Sequence, residues 1–249
     1  MLELNQIHHG DCLALMPSIP DKSIDMILCD LPYGTTACEW DSIIDMGKLW
    51  NEYERVIKDN GAIVLTANAK FTFTLYNSNP KLFRYKWIWE KNISPSFVLA
   101  NKMPLKIHED VLVFYKTPAI YNPQKTKGEP YREKGGKGNA AITGITRIST
   151  ENTTGERYPK DILRIDVDPH SVTMHPTQKP VALFEYLIKT YTNENDLVLD
   201  NCSGSGTTAI ACLNSNRRYV CIEQNEEYIK RSRQRVQDHE PLLNLKSNL

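Results

Sequence analysis

An α/β fold with a doubly wound, mostly parallel sheet is what this 249-residue sequence predicts, on three observations. Short apolar runs alternate with stretches of helical periodicity. Two of those runs, SIDMILCD (23–30) and DLVLD (196–200), end in an acid and read as buried strands. A Gly-Ser-Gly turn follows the second run directly, as where a strand passes into a helix in such folds.

The first half begins with LNQIHHGD (4–11), a short strand running into a loop, followed by the strand at 23–30. An amphipathic helix spans about 43–58, with Asn60-Gly61 as its stop, and the strand AIVLTA (62–67) comes next. YKWIWEK (85–91) and EDVLVFYK (109–116) are strand-like in their aromatic and β-branched content. The second half opens with a helix at about 180–192 and continues with the strand at 196–200, the Gly-rich turn and a helix at 207–214. The strand RYVCIE (218–223) and a basic helix at about 226–237 complete it. Residues 117–172 differ in texture, being rich in Gly, Pro, Thr, Asn and Lys without sustained periodicity. A stretch of that length inside a domain is usually functional. The chain therefore divides into 1–116 and 173–249, two halves of one domain, and an insertion at 117–172.

Lys and Arg balance Asp and Glu at 30 each, but unevenly along the chain. Residues 1–80 carry 5 basic and 11 acidic groups, residues 81–165 carry 16 and 8, and residues 166–249 carry 9 and 11. A basic middle inside a neutral chain suits a phosphate backbone. The six cysteines form no CxxC pair, so reduced thiols are expected, with neither disulfide nor metal. No apolar run approaches the ~20 residues that span a bilayer, and the start lacks a signal-peptide pattern. A cytoplasmic protein is expected.

Two motifs carry chemistry. In LVLD-NCSGSGTT, Gly204 and Gly206 permit a tight turn and close approach of a ligand, with helix N-terminal amides available to it. No Lys follows the glycines, which excludes a P-loop. Asp200 closes one strand and Glu223 the next, at the ends where open α/β sheets bind ligands, and Glu223 suits ribose hydroxyls. A nucleoside-containing cofactor follows, and these residues alone fit NAD as well as S-adenosylmethionine. The second motif is Asp30-Leu31-Pro32-Tyr33-Gly34. Pro32 fixes its own φ and biases Leu31 away from helix, so the turn is stiff. It holds the Asp30 carboxylate and the Leu31 carbonyl beside an aromatic ring. Two acceptors gripping the hydrogens of an exocyclic amine would free the nitrogen lone pair for attack on a methyl group, while Tyr33 stacks on a base turned out of its helix.

Asp-Leu-Pro-Tyr, then a basic insertion, then His175-Pro176-Thr177-Gln178-Lys179-Pro180, then Asp200 and the Gly-Ser-Gly turn is an order that resembles the β group of DNA amino-methyltransferases, over residues 4–230. The resemblance implies the S-adenosylmethionine-dependent methyltransferase fold in circularly permuted motif order, with an inserted target-recognition region. It implies Asp30, Leu31, Pro32 and Tyr33 as the catalytic turn. It puts Asp11 at the adenine of the cofactor, His175 and Lys179 at its methionine end, Asp200, Cys202, Gly204, Gly206 and Thr207 around it, and Glu223 on its ribose. His108-Glu109 is a further family element of structural character. Asn201 and Cys202 stand where the family usually has Pro and Phe, and the missing aromatic predicts weaker cofactor binding; Leu31 stands where a second Pro is commoner. Asp30, where cytosine-N4 members more often have Ser, favours N6 of adenine over N4 of cytosine. The implied partner is double-stranded DNA, with a homodimer and a cognate restriction endonuclease as further expectations. Lys125, Lys127, Arg132, Lys134, Lys137, Arg147 and Arg157 are the expected DNA contacts, and Arg132, Arg147 and Arg157 suit base reading because a guanidinium grips guanine bidentately. An NAD-dependent oxidoreductase leaves the Asp-Leu-Pro-Tyr turn unexplained, and a silent DNA-binding relative has no use for an intact Asp30 and Tyr33.

Overall fold

In chain order the elements are β1 (Gln6–His9), α1 (Cys12–Leu15), β2 (Ile24–Cys29), α2 (Met46–Val56), β3 (Ile57–Ala67), α3 (Lys70–Ser78), β4 (Phe83–Glu90) and β5 (His108–Phe114). They continue with β6 (Thr126–Lys127), β7 (Tyr131–Glu133), β8 (Thr150–Asn152), β9 (Glu156–Arg157), β10 (Ile162–Arg164), α4 (Val181–Tyr191), β11 (Leu197–Asp200), α5 (Thr207–Asn214), β12 (Arg218–Glu223) and α6 (Glu226–Lys246). The structure, a computed structural model, describes residues 2–34, 44–94, 97–133, 150–169 and 178–246, without the side chains of 240–246.

Eight of these strands form one sheet in the order β1-β12-β11-β2-β3-β5-β4-β10. Only β5 runs against its neighbours, so the sheet is the mostly parallel one expected. Both β2 and β11 are buried at every position, because helices cover both faces. Their side chains alternate between two cores. Met26 and Leu28 face Leu183, Phe184 and Leu187 of α4, whereas Ile27 and Cys29 face Leu49, Trp50 and Tyr53 of α2. Asp25 is buried in β2 and fully used: its carboxylate accepts from Lys58 Nζ at 2.6 Å and from the Leu197 amide at 2.9 Å, tying β2 to β3 and β11.

Two expectations need correction, and one helix is unassigned in the sequence. Asn60-Gly61 does not stop the helix; α2 ends at Val56, and both residues lie inside β3 where its register against β2 shifts. A Cβ on Gly61 would lie 2.7 Å from the Asp25 carbonyl oxygen, so glycine is required by contact with β2 rather than by helix termination. Residues 70–78 form a helix, although KFTFTLYNS is rich in aromatic and β-branched residues; Phe71 and Leu75 are buried one turn apart against the sheet. The last helix continues past Gln237 to Lys246.

Residues Pro123–Lys160 form a second, smaller unit in which β6 pairs with β9 and β7 with β8, both antiparallel. The strand β10 that follows belongs to the large sheet, pairing with β4. Among the described residues no helix is long and apolar enough to cross a membrane.

Candidate active site

The sheet order brings together residues that the chain holds far apart. β1, β12, β11 and β2 are parallel neighbours, so their carboxyl ends lie side by side. Asp11 follows the first, Glu223 ends the second, Asp200 ends the third and Asp30 follows the fourth. The chain leaves β2 toward β3 on one side and comes back at β11 on the other, which makes this edge a topological switch point, where open α/β sheets bind ligands.

Asp30 is held from several directions. One carboxylate oxygen accepts from the Tyr33 hydroxyl at 2.7 Å and from the Thr66 hydroxyl at the end of β3. The other accepts from Lys179 Nζ at 2.6 Å. A carboxylate offers about four acceptor positions, so room remains for one more donor. Leu31 is buried in the α2-side core, which roots the turn, and the Tyr33 ring stacks on Phe71 with centroids 4.9 Å apart. The Tyr33 phenol is pushed well above its ordinary value, by burial first and then by Asp30 and Glu109, so it stays protonated and donates.

Lys179 is the hinge of the arrangement. Its ammonium is 6% exposed and also lies 3.4 Å from Glu109 Oε2, while Lys91 contacts the other oxygen of Glu109. Charges therefore alternate along Lys91, Glu109, Lys179 and Asp30. Burial alone would lower the pKa of Lys179, yet Asp30 and Glu109 together raise it. The Lys179 carbonyl accepts from the Thr207 hydroxyl at 3.3 Å, so this one residue touches the Asp30–Tyr33 turn and the Gly-rich turn at once. Thr66, Phe71 and Lys91 had no signal in the sequence; Glu109 had one only as a structural element.

The Gly-rich turn is equally constrained. Asp200 is buried, accepts from the Cys202 amide at 3.1 Å and from the Thr208 hydroxyl, and is pushed up to about 7, chiefly by burial. Glu223 caps the turn: its two oxygens accept from the Gly204 amide at 2.8 Å and the Asn225 amide at 2.7 Å. Burial raises its pKa, against the pull of those amides. Gly204 and Gly206 both have positive φ, and a Cβ on Gly204 would meet nothing within 4 Å, so a ligand can approach the backbone there. Asn201 finds its reason in a distant partner, since its Oδ1 accepts from the buried Tyr53 hydroxyl at 2.6 Å; a hydrogen bond stiffens the turn here. Cys202 packs against the α2-side core beside Cys12 and Cys29. Asp11 caps α1 by accepting from the Ala14 amide at 2.9 Å.

Among the described residues, Ser203 Oγ in the Gly-rich turn is buried without a hydrogen-bond partner, whereas Glu109 Oε2, outside hydrogen-bond geometry, is ion-paired with Lys179. Buried polar groups are normally satisfied, so the Ser203 hydroxyl fits a polar ligand that completes it. No cluster of three or more metal-binding side chains occurs among the described residues.

In the smaller unit, Lys125 pairs with Glu156 at 2.8 Å and lies over the Tyr158 ring. Arg157 lies over Tyr131, 4.5 Å from its centroid, and donates to the Glu129 carbonyl, so its guanidinium is engaged within the unit. Lys127 and Arg132 are exposed. His175, Lys134, Lys137 and Arg147 lie outside the described residues.

Residues 24–234 match the N6/N4 DNA methylase family. Type II methyltransferase M2.MboI of Moraxella bovis is 28% identical, over 95% of this chain and 89% of its own length. DNA adenine methyltransferase YhdJ of Escherichia coli (strain K12) is 28% identical, over 94% of this chain and 83% of its own. The crystal structure of an M1.HpyAVI–SAM complex superposes with a TM-score of 0.64 at 25% identity, covering 92% of this chain and 98% of that one. The chain belongs to the N6/N4 DNA methylase family.

Proposed function

We propose that this DNA methylase transfers a methyl group from S-adenosylmethionine to N6 of an adenine turned out of duplex DNA. The observation that carries the reading is the juxtaposition of two turns. The stiff Asp30–Tyr33 turn ends β2, the Gly-rich turn ends its parallel neighbour β11, and Lys179 contacts both. When bound, S-adenosylmethionine supplies an electrophilic methyl group. Glu223 would hold its ribose with the acceptor positions that the Gly204 and Asn225 amides leave, and the open space at Gly204 would let the methionine portion approach the backbone. Asp30 accepts from one hydrogen of the target amine with its remaining acceptor position, and the Leu31 carbonyl takes the other. The amine nitrogen, whose lone pair is otherwise delocalised into the base, becomes nucleophilic toward a methyl group in line with it. Tyr33, braced by Phe71, stacks on the extruded base.

Two facts favour adenine over cytosine: Asp30 stands first in the catalytic turn, and one of the most similar relatives is named an adenine methyltransferase. The test is modified-base sequencing of DNA from a methylation-free host that expresses the chain. N6-methyladenine at one short sequence is expected. N4-methylcytosine would move the reading to the cytosine enzymes, and unmodified DNA would overturn it. Choice of sequence is assigned to residues from about 120 to 164, with Arg132 as a base reader among the described candidates.

Glu223→Ala is expected to raise the dissociation constant of S-adenosylmethionine roughly ten- to hundredfold, the worth of charge-assisted hydrogen bonds of about 1.5–3 kcal/mol. Calorimetry checks it, beside a melting curve, because the Gly204 and Asn225 amides lose their acceptor in the same variant. An unchanged constant would remove Glu223 from the cofactor site.

A further inference from the structure

The loop from 91 to 107 departs from the usual surface of a protein. Six large apolar side chains on it are exposed, among them Phe97 at 74% and Val98 at 89%. Isolated exposed apolar residues need no explanation, but a cluster of this kind marks an interaction site. The same stretch carries Lys91, Lys102 and Lys106 and not one acid from 91 to 108.

The described residues of the loop, 91–94 and 97–107, have a defined place. Its base is closed by the Lys91 amide donating to the Ile107 carbonyl at 2.7 Å. Its tip is a tight helical turn, Phe97–Leu99, with the Ala100 amide bonded to the Phe97 carbonyl at 3.0 Å and the Lys102 amide to the Leu99 carbonyl at 2.8 Å. It rises between the end of β4 and the start of β5. Because β5 is antiparallel to β3, that start lies beside the carboxyl end of β3, where Ala67 pairs with Asp110. Both roots reach toward the catalytic turn. Lys106 contacts Asn68, two residues past the Thr66 that holds Asp30, and Lys91 contacts the Glu109 that faces Lys179.

We propose that this loop is a wedge for duplex DNA: Phe97 and Val98 enter the stack where the target base has left it, and the exposed Lys102 holds a flanking phosphate. The inference rests on the proposed function, since an amine can meet Asp30 only after its base leaves the helix. Extrusion leaves an apolar gap one base high, and inserted apolar side chains are a known means of stabilising an opened base step. The charge selects DNA over a second copy of the chain, because a self-complementary face with no acid from 91 to 108 would set Lys102 against its like, whereas a phosphate requires a cation.

The test compares Phe97→Ala/Val98→Ala with the parent protein on two DNAs carrying the sequence identified by modified-base sequencing. One is an intact duplex; in the other the target base faces an abasic position, so opening is already paid for. The wedge predicts a kcat/KM lowered about 10- to 100-fold on the intact duplex, from an opening cost of a few kcal/mol, with most of that loss absent on the second DNA. The melting temperature should not change, because both side chains are exposed. Equal losses on both DNAs, or no loss on either, would overturn the wedge while leaving the methylation reading intact. Equal losses accompanied by dissociation of a parental dimer in sedimentation would make the patch a contact between copies instead. A parent protein that methylates neither DNA would overturn the proposed function and the wedge with it.

Discussion

Asp30→Ala is expected to lower kcat by about a thousandfold or more while leaving S-adenosylmethionine binding measurable, since a positioned proton acceptor contributes roughly 10²–10⁴ and one preorganised electrostatic partner 10²–10³. The two effects separate because Asp30 and the Gly-rich turn end different strands and share only Lys179. The substitution has a structural cost as well. It removes the carboxylate that compensates the 6%-exposed Lys179 ammonium, and an unpaired buried cation is strongly destabilising. Asp30→Asn is therefore the cleaner variant, because it keeps the volume and one acceptor oxygen. Single-turnover methyl transfer, equilibrium cofactor binding and a melting curve on both variants decide the matter. Near-normal turnover by Asp30→Asn would show that the turn does not grip the amine, whatever Asp30→Ala does to folding.

How much of this was legible in the sequence depended on whether the signal was local. β2, β11 and the Gly-rich turn were readable because a buried parallel strand is apolar at every position and a tight turn requires glycine, and both demands are met by consecutive residues. Asp30 and Tyr33 were readable because Pro32 stiffens three adjacent positions. The network behind them was not. Lys179 lies 149 residues from Asp30, and Tyr53 lies 148 from Asn201, so nothing in the neighbourhood of either residue announces its partner. Asn201 read only as a departure from the family's Pro for that reason, and its hydrogen bond to Tyr53 braces the turn. Gly61 was assigned to a helix end because the sequence records that glycine is needed and not which neighbouring backbone demands it. In α3, burial of Phe71 and Leu75 on one face outweighed a composition that favours strand.

Lys179→Met is expected to act on stability and on the pH profile together, and the combination separates a positioning role from simple packing. The group is held above the ordinary lysine value despite burial, so the stability it contributes is fully present below the unfolded value of ~10.4 and is lost only as pH rises through the higher folded one. At neutral pH the variant therefore lacks the whole contribution, and breaking a buried pair of this kind costs about 3–5 kcal/mol. Asp30 and Glu109 then face each other without the cation between them. Two like charges held together without a cation repel each other, and a proton relieves the repulsion. Activity should consequently fail first on the acid side, with the low-pH limb of kcat/KM displaced upward and partial recovery as pH rises. A side chain that merely filled space would lower activity evenly across the range. Adding Glu109→Gln restores local neutrality, because Lys91 then balances Asp30. The double variant should be more stable than the two single costs predict, since residues sharing one network do not behave additively. Strict additivity, or a pH profile that does not move, would mean that Lys179 does not tune Asp30. A rise of tenfold or more in the S-adenosylmethionine dissociation constant would instead assign its main work to the cofactor.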